Sequence, residues 1–452
     1  MKQWFREQKQ SLGLMLTIFL CFFLTSTGYL AWLYHLIEAA PAGVSDLLAL
    51  GLGYLLQAAG IGTFAFTAYK KPALAAPKPF VIVLALYIAC MIPSVLAKTL
   101  LWTAVFGGLA NFFCGMIAGW YLYYLRKADP RHRALTFGIG YGLSTFASWI
   151  LALIGNGALY HSNAVLYILG ALAILAAVIF LRFHQPDEDA LIEEAEGKPA
   201  GTSKLLTAAC AVVFLFSVVN QIGFSFPSAD LANGVSLESS RLFYAAGLII
   251  AGFVSDRSRQ HGAVVTLGAL IIPFIMLVLR REVIPATILW ALSYFASGFF
   301  SVYRVILFVD IAQEKHLWFL SGFGLLFGRL GEAIGATVFA SVTGSSIMPV
   351  VLAGALYAVT VALFFWLYQK LYMPHIDEEK AERLRFQRFA IQHDLSPREK
   401  EILSLLLAKE TTADIAQQLY VSESTVKFHV HNLLQKTGCK NRKELADLFY
   451  GK

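Results

Sequence analysis

The residues best suited to contact a nucleic acid lie in STVKFHVHNLLQK, residues 424–436. A helical period places Val426, Val430 and Leu433 on one apolar face of this segment. The opposite face then presents Thr425, Lys427, Phe428, His431 and Gln435. Every charged residue from 427 to 443 is basic, and these are Lys427, Lys436, Lys440, Arg442 and Lys443. A basic, polar helix face of this kind is suited to a phosphate-lined groove.

A second set of reactive side chains lies in an apolar part of the chain. The segment FGRLGEAIG places Arg329 and Glu332 three residues apart, on one face of a helix. A charge at the centre of a membrane span costs about 2.5–3.5 kcal/mol, so the two side chains should face inward. They are either an internal ion pair or a ligand or proton site. Arg304 is the third candidate for a ligand contact. In the alternative interpretation, its side chain extends to the inner membrane surface, with Asp310 close by.

The elements that position the basic face begin with clear helix starts. Ser396 precedes Pro397, and Glu399 completes a capping box. Thr411 and Asp414 start a second helix, and Ser422 caps a third after a tight connection. A fourth helix is expected over 441–449. Two helices joined by a tight turn, the second basic and polar outward, form a helix-turn-helix whose second helix would enter the major groove.

The segment LSPREKEIL…IAQQLYVSESTVKFHVHNLLQKTGCKNRKEL resembles the LuxR/NarL-type DNA-binding domain over about 57 residues. The resemblance implies that Lys427, Phe428 and His431 face base edges of promoter DNA. It also implies that Thr425, His429 and Lys436 lie near phosphates, and that the last helix forms a dimer contact on DNA. Lys409 stands where the family usually has glycine after the first helix. A four-helix module that binds protein is the alternative.

The composition of the remaining chain indicates a polytopic membrane protein. Of 452 residues, 58% are hydrophobic and 14% charged, with a mean hydropathy of +0.63, against about a quarter charged in soluble proteins. Runs of roughly 20 apolar residues predict twelve spans. The predicted spans are 12–37, 46–69, 79–97, 99–125, 134–155, 162–183, 205–226, 241–254, 262–279, 284–308, 317–341 and 347–369, the eighth starting near Ser236.

The positions of the basic residues predict the orientation of these spans. With a cytoplasmic N-terminus, sixteen Lys and Arg fall in cytoplasmic segments and three, Lys98, Arg280 and Arg281, in outer loops. We therefore expect a multi-pass protein of the inner (cytoplasmic) membrane with both termini in the cytoplasm. A polar segment, 185–204, would divide the membrane domain, 1–372, into six-helix halves at 1–184 and 205–372.

The two halves and the central acidic loop resemble the major facilitator superfamily. The most specific local match is GFVSDRSRQHG, in which Gly252, Asp256, Arg257 and Arg259 match the family's cytoplasmic loop motif. In that family the aspartate pairs with a helix N-terminus and with arginines, and it helps to set the closed state. The loop after span two, AYKKPALAAPKP, contains no acidic residue.

Residues 373–394 are charged and favour a helix that links the membrane domain to a DNA-binding domain at 395–452. Leu384 and Ile391 are seven residues apart, a possible seam for pairing, but packing of the helix on its own domain is the alternative. The predicted fold is all-α: a twelve-helix transmembrane bundle followed by a four-helix DNA-binding domain.

Two functions are consistent with these patterns. We find no enzyme motif, and five scattered cysteines without a CxxC pair indicate no metal site; no cofactor is expected. In the first function, the membrane domain senses an unidentified small molecule and the C-terminal domain, dimeric on DNA, regulates transcription. In the second, the protein is a working transporter with a regulatory DNA-binding tail. The missing acidic residue after span two favours the first.

Overall fold

The structure is a computed structural model, and it describes residues 2–41, 44–154, 158–184, 203–221, 237–272, 275, 285–314, 317–341, 348–373, 378–408 and 410–450. The chain divides into two compact units, residues 1–372 and 373–452. Each unit is built from helices, and no strand occurs in the described ranges. The predicted all-α fold is thereby confirmed.

The first unit contains a helix in each of the twelve predicted span intervals. Those of its first half are α1 (Lys2–Ala39), α2 (Val44–Lys70), α3 (Pro77–Leu96), α4 (Leu100–Leu125), α5 (Arg133–Leu153) and α6 (Ala164–Phe183). Within α2, residues Leu47–Leu52 form a π-helical stretch. Such stretches are rare in proteins, and those that occur are often found at functional sites.

The second half repeats the pattern. Its helices are α7 (Ser203–Gln221), α8 (Leu237–Arg257), α9 (Arg259–Ala269), α10 (Pro285–Glu314), α11 (Phe323–Ser341) and α12 (Met348–Tyr372). Most of the predicted inter-half linker, 185–202, lies outside the described residues, as does Ser236. Helix α8 is longer than the predicted span 241–254 and extends toward Ser236, as the sequence suggested.

Nine of these helices are long and apolar enough to cross a membrane, counted over the described residues. The other three are α8, α9 and α11. Helix α9 spans only 11 described residues. Helix α8 carries Asp256 and Arg257, and α11 carries Arg329 and Glu332.

Glycines allow helices of the two halves to approach closely. A Cβ on Gly138 of α5 would lie 2.5 Å from the carbonyl oxygen of Leu248 in α8, and one on Gly252 would lie 2.7 Å from that of Ala134. Both distances are too short for any side chain. The small residues therefore allow α5 to pack closely against α8.

The second unit contains α13 (Glu378–Gln392), α14 (Pro397–Leu407), α15 (Thr412–Gln418), α16 (Glu423–Thr437) and α17 (Arg442–Tyr450). Phe389 and Ala390 of α13 are buried in one core with Leu433, Leu445 and Phe449. Helix α13 thus packs on its own domain, which was one of the two alternatives for 373–394. Ile391 is 77% exposed, and the side chain of Leu384 lies outside the described set, as does Lys409.

Candidate functional site

Three helix caps fix the geometry of the helix-turn-helix. Ser396 accepts a hydrogen bond from the Glu399 N–H and its own N–H donates to the Glu399 carboxylate, a complete capping box. Thr411 and Asp414 form a second one. Ser422 caps α16 by accepting from the Thr425 N–H at 3.2 Å. All three starts match the sequence prediction.

The predicted faces of α16 are present. Val426, Val430 and Leu433 are buried against α14 and α15. On the other side Lys427, Phe428 and His431 are exposed, and Phe428 leaves 60% of its surface in water. The Lys427 ammonium lies 3.9 Å from the Glu423 carboxylate, an exposed contact of little energetic weight. The side of α16 that faces solvent is thus basic and aromatic.

The three residues assigned to phosphates occupy different surroundings. Thr425 and His429 are half-buried beside the exposed face, and the Thr425 hydroxyl lies 2.8 Å from that of Ser422. Lys436 donates hydrogen bonds to the Glu399 carboxylate and the Asp394 carbonyl oxygen, both at 2.8 Å. The Lys436 side chain therefore also joins the end of α16 to the start of α14.

Glu399 is the counterpart of Lys436 in this contact. Burial opposes ionisation of the Glu399 carboxyl, but hydrogen bonds from Lys436 and from the Ser396 N–H outweigh it. The pKa of Glu399 consequently lies below its ordinary value. Sequence analysis identified Glu399 only as part of a cap, because the contact with Lys436 joins residues 37 positions apart.

The tight connection before α16 contains a feature that sequence analysis missed. Tyr420 adopts a positive φ of 53° and is 95% exposed. Left-handed backbone is uncommon for a bulky residue. The Val421 N–H bonds to the Ala416 carbonyl oxygen at 2.9 Å, so the turn between α15 and α16 closes in spite of the strain.

In the membrane unit, Arg304, Arg329 and Glu332 meet in one cluster. The Glu332 carboxylate accepts from Arg304 Nη1 and from Arg329 Nη1, each at 2.5 Å. The Arg304 and Glu332 side chains are less than a tenth exposed. The ion pair of Arg329 and Glu332, one of the two alternatives for these residues, is present, and Arg304 of α10 joins it.

The alternative for Arg304, a side chain reaching the inner surface near Asp310, is wrong. Six residues along a helix correspond to about 600° of rotation, so Arg304 and Asp310 point in different directions from α10. Arg304 lies instead against α11, where a Cβ on Gly328 would be 2.5 Å from its Nη1. The absence of a side chain at Gly328 makes room for the guanidinium.

These three residues line a cavity of about 320 Å³ between the two halves of the unit. Its walls come from α1, α2 and α5 of the first half and from α7, α8, α10 and α11 of the second. Seven aromatic side chains line it, namely Tyr29, Tyr34, Tyr54, Tyr141, Tyr244, Trp290 and Tyr294. Asp46 and Leu50, at the π-helical stretch of α2, also belong to the wall. Such a space is large enough for a small ligand.

An ionic network lies at the opposite ends of the same helices. The two Asp256 carboxylate oxygens accept from the N–H groups of Ala134 and Leu135, at the N-terminus of α5, at 2.9 and 2.7 Å. Arg259 donates to Asp256 at 2.9 Å and to Asp310 at 2.8 Å. The expected contacts of the loop motif, an aspartate with a helix N-terminus and with arginine, are thus formed.

Arg133 and Asp310 complete this network, and sequence analysis had given them no such role. Arg133, in α5 of the first half, donates to the Asp310 carboxylate at 2.6 Å and is almost fully buried. Asp310 belongs to α10 of the second half. An acidic residue in an apolar run was the available signal, but its partner is 177 positions away.

The C-terminal end of α4 contributes a different kind of contact. The Arg126 guanidinium, directly after α4, lies 4.4 Å from the ring centroid of Tyr123 and 4.1 Å from that of Trp318. Trp318 precedes α11 in the second half. A cation–π contact therefore joins the halves at this edge.

Comparison with known proteins identifies relatives of the C-terminal unit. Residues 393–449 match the family of bacterial regulatory proteins of the luxR family. The spore germination protein GerE of Bacillus subtilis is 44% identical over 50 residues, 11% of this chain and 68% of that protein. The nitrate/nitrite response regulator protein NarL of Escherichia coli is 41% identical over 69 residues, which is 15% of this chain but only 32% of NarL.

A solved structure resembles the membrane unit. The human organic anion transporter MFSD10 (TETRAN) superposes with a TM-score of 0.57 at 13% identity, covering 80% of this chain and 98% of that one. At such identity the likeness concerns the fold alone. The predicted major facilitator-like architecture and the predicted LuxR-type domain are both confirmed.

Proposed function

Because the chain belongs, through residues 393–449, to the LuxR family of bacterial regulatory proteins, we propose that it is a membrane-embedded, one-component transcription regulator. The membrane unit binds a small molecule, and the C-terminal unit binds promoter DNA. One observation carries the proposal: the same polypeptide joins an exposed basic helix-turn-helix face to a transporter-like fold with a ligand-sized, charged cavity.

At the DNA, Lys427, Phe428 and His431 contact base edges, as the resemblance to LuxR-type domains implies, and all three side chains are exposed on α16. Thr425, His429 and Lys436 contact phosphates. Lys436 is compatible with this role even while it holds Glu399, because an ammonium has three N–H donors and two of them are used. Two copies bind adjacent half-sites, with α17 in the dimer contact.

In the membrane, Arg304, Arg329 and Glu332 contact the ligand. The cavity residues Tyr34 and Ile37 lie near the C-terminal end of α1, and Arg241 and Trp290 lie near the starts of α8 and α10. The network around Asp256 and Asp310 is at the other ends of α8 and α10. With both termini in the cytoplasm, the cavity faces outward and the network closes the cytoplasmic side, so the sensor samples the outside of the inner membrane.

A working transporter with a DNA-binding tail is the second candidate. Its support is the fold and the network that joins the halves, because alternating access would require that network to open and re-form. The loop after the second span, AYKKPALAAPKP, has no acidic residue, and this favours a membrane unit that shifts between states without a transport cycle.

Uptake and transcription separate the two functions. A reporter strain with the full-length chain is screened with small molecules, and each active compound is tested for uptake into vesicles that contain the protein. The sensor function predicts a reporter response without protein-dependent uptake, and loss of that response in Lys427→Ala. Protein-dependent uptake that is equal in a chain truncated after Tyr372 would establish the transporter instead.

A further inference from the structure

The described residues of the membrane cavity carry an excess of positive charge. Three arginines, Arg241, Arg304 and Arg329, line it, against two acids, Asp46 and Glu332. In the cluster itself, the guanidinium groups of Arg304 and Arg329 share the single carboxylate of Glu332. Charge is costly within a membrane protein, so an anion that brings a second carboxylate to the two arginines is favoured.

The two arginines bound to Glu332 retain hydrogen-bonding capacity. The Nε–H groups of Arg304 and Arg329 are both buried, and neither has an acceptor among the residues that the structure describes. The Arg329 guanidinium lies with its carbon 4.6 Å from the ring centroid of Tyr54, so one face is covered. The guanidinium edge, which suits two parallel bonds to a carboxylate, is not covered by this stacking.

The aromatic walls of the cavity favour a ligand that contains a ring. Six tyrosines and one tryptophan line the cavity, and the Tyr141 and Tyr244 hydroxyls are hydrogen-bonded at 3.1 Å, so their rings are held in place. Aromatic side chains pack against a flat apolar body by offset stacking or edge contacts. The volume of about 320 Å³ is at the lower end of the range for ligand sites and suits one or two rings.

We infer that the cavity binds a small organic monoanion, an aromatic carboxylate, with the carboxylate at Arg304 and Arg329 and the ring among the tyrosines. This inference rests on the proposed function in which the cavity is the sensory site. Glu332 then acts as an internal competitor, because its carboxylate already occupies one Nη of each arginine. A ligand carboxylate redistributes these bonds between α10 and α11.

The test uses matched probes that differ only in charge. Benzoate, phenylacetate and 3-phenylpropionate are each compared with the neutral amide and with the amine of the same skeleton. Binding to the purified full-length chain in lipid nanodiscs is measured by calorimetry. At least one carboxylate should bind about tenfold or more tightly than its amide, which is roughly 1.4 kcal/mol, and its amine should be weaker still.

Variants test the assignment of the groups. Arg329→Gln should weaken binding of the carboxylate about tenfold or more. Glu332→Gln should strengthen its binding, because the competing carboxylate is removed. Arg182→Gln, an exposed arginine of α6 outside the cavity, is the matched control and should leave binding unchanged. If a variant fails to fold, the comparison of carboxylate, amide and amine on the unmodified chain still tests the anion site.

The outcomes distinguish the inference from the proposed function. If an amide or amine binds as well as its carboxylate, or if none of the three carboxylates binds, the anion site is refuted. A reporter response to neutral or cationic compounds alone would also refute it while leaving the sensor function intact. Conversely, carboxylate binding that never alters the reporter would refute sensing and leave the anion site in place.

Discussion

At the scale of single residues, Lys427 bears most directly on DNA reading. It is exposed on the basic face of α16, and its contact with Glu423 is weak. Lys427→Ala in the fragment 374–452 should weaken binding to duplexes that the unmodified fragment selects from a random library. The loss should be about 1–3 kcal/mol if the side chain reads a base. Fluorescence anisotropy measures it.

The matched control is Lys400→Ala, which removes an exposed lysine of α14, outside the face of α16. This substitution should reduce the affinity for DNA only slightly, and by the same factor for every duplex sequence. Affinity of Lys427→Ala equal to that of the unmodified fragment on every selected duplex would contradict the assignment of α16 as the reading helix.

The Glu399–Lys436 contact predicts how the stability of the C-terminal unit depends on pH. Because the folded pKa of Glu399 is lowered, the contact stabilises the fold above the unfolded pKa of about 4.3 and is lost as pH falls through the folded pKa. Acidification below about pH 4.3 should therefore lower the Tm of fragment 374–452. In Lys436→Met this decrease should be smaller, since one of the bonds to Glu399 is absent.

Circular dichroism between pH 7 and pH 3 measures this difference. The two fragments should converge in stability at the acidic end, where Glu399 is protonated in both. Parallel curves, with the same difference in Tm at every pH, would show that Lys436 acts through packing and not through the Glu399 carboxylate.

At this scale, sequence patterns identified the important residues better than they identified the side chains with which those residues pair. The caps at Ser396, Thr411 and Ser422 were predictable because their hydrogen bonds reach only three residues along the chain. Glu332 was predictable as a partner of Arg329 for the same reason. Arg304 was not, because its partner depends on how α10 crosses α11, which no local spacing encodes.

At the scale of helices, the crossing of α10 and α11 depends on Gly324. A Cβ at Gly324 would lie 1.8 Å from the Arg304 carbonyl oxygen. Since a backbone atom cannot yield as a flexible side chain can, Gly324→Ala should separate the helices and destabilise the unit by about 1–3 kcal/mol or more. A lowered Tm of the detergent-solubilised chain is the expected result.

Gly170→Ala in α6 provides the comparison, because a Cβ there meets nothing within 4 Å. Its Tm should equal or exceed that of the unmodified chain, since alanine favours a helix over glycine. Equal Tm values for the two alanine variants would contradict the tight crossing of α10 and α11.

Helix α13 is the element through which the membrane unit would act on the DNA-binding unit. Its C-terminal half is fixed to the DNA-binding unit by Phe389 and Ala390, so a rotation or tilt of α13 would be passed on. A seven-residue Gly/Ser insert after Glu382 should therefore leave transcription constant, whatever the ligand. A reporter gene measures the response.

The control is a seven-residue helix-forming insert at the same position. Seven residues are close to two turns at 3.6 residues per turn, so the orientation of the packed half is nearly kept and the response should persist. A normal response with the Gly/Ser insert would contradict a mechanical link and favour a route through clustering or local concentration.

Helix boundaries were largely predictable from apolar runs and caps. Where the structure differs from the sequence prediction, the difference has a physical cause. Helix α8 extends beyond the apolar run 241–254 because its charged end belongs to the inter-half network, where Asp256 finds donors on α5. The position of α13 against Phe449 was left open because its amphipathic pattern is short.

At the scale of the whole molecule, composition alone indicated a membrane protein and the C-terminal motif indicated a DNA-binding domain. The cavity between the halves was not predictable, since its walls come from seven helices that are distant in sequence. The choice between sensing and transport depends on what the full-length chain does when the cavity is occupied.

The most direct test of the proposed sensor maps DNA bound by the full-length chain in intact cells. The mapping is done with and without each compound that alters the reporter, for the unmodified chain and for Arg329→Ala. Occupancy of promoter sites should change with ligand in the unmodified chain and stay constant in Arg329→Ala, while fragment 374–452 still binds the same sites. Occupancy that is the same with and without ligand in the unmodified chain, or an undiminished ligand response in Arg329→Ala, would contradict the account.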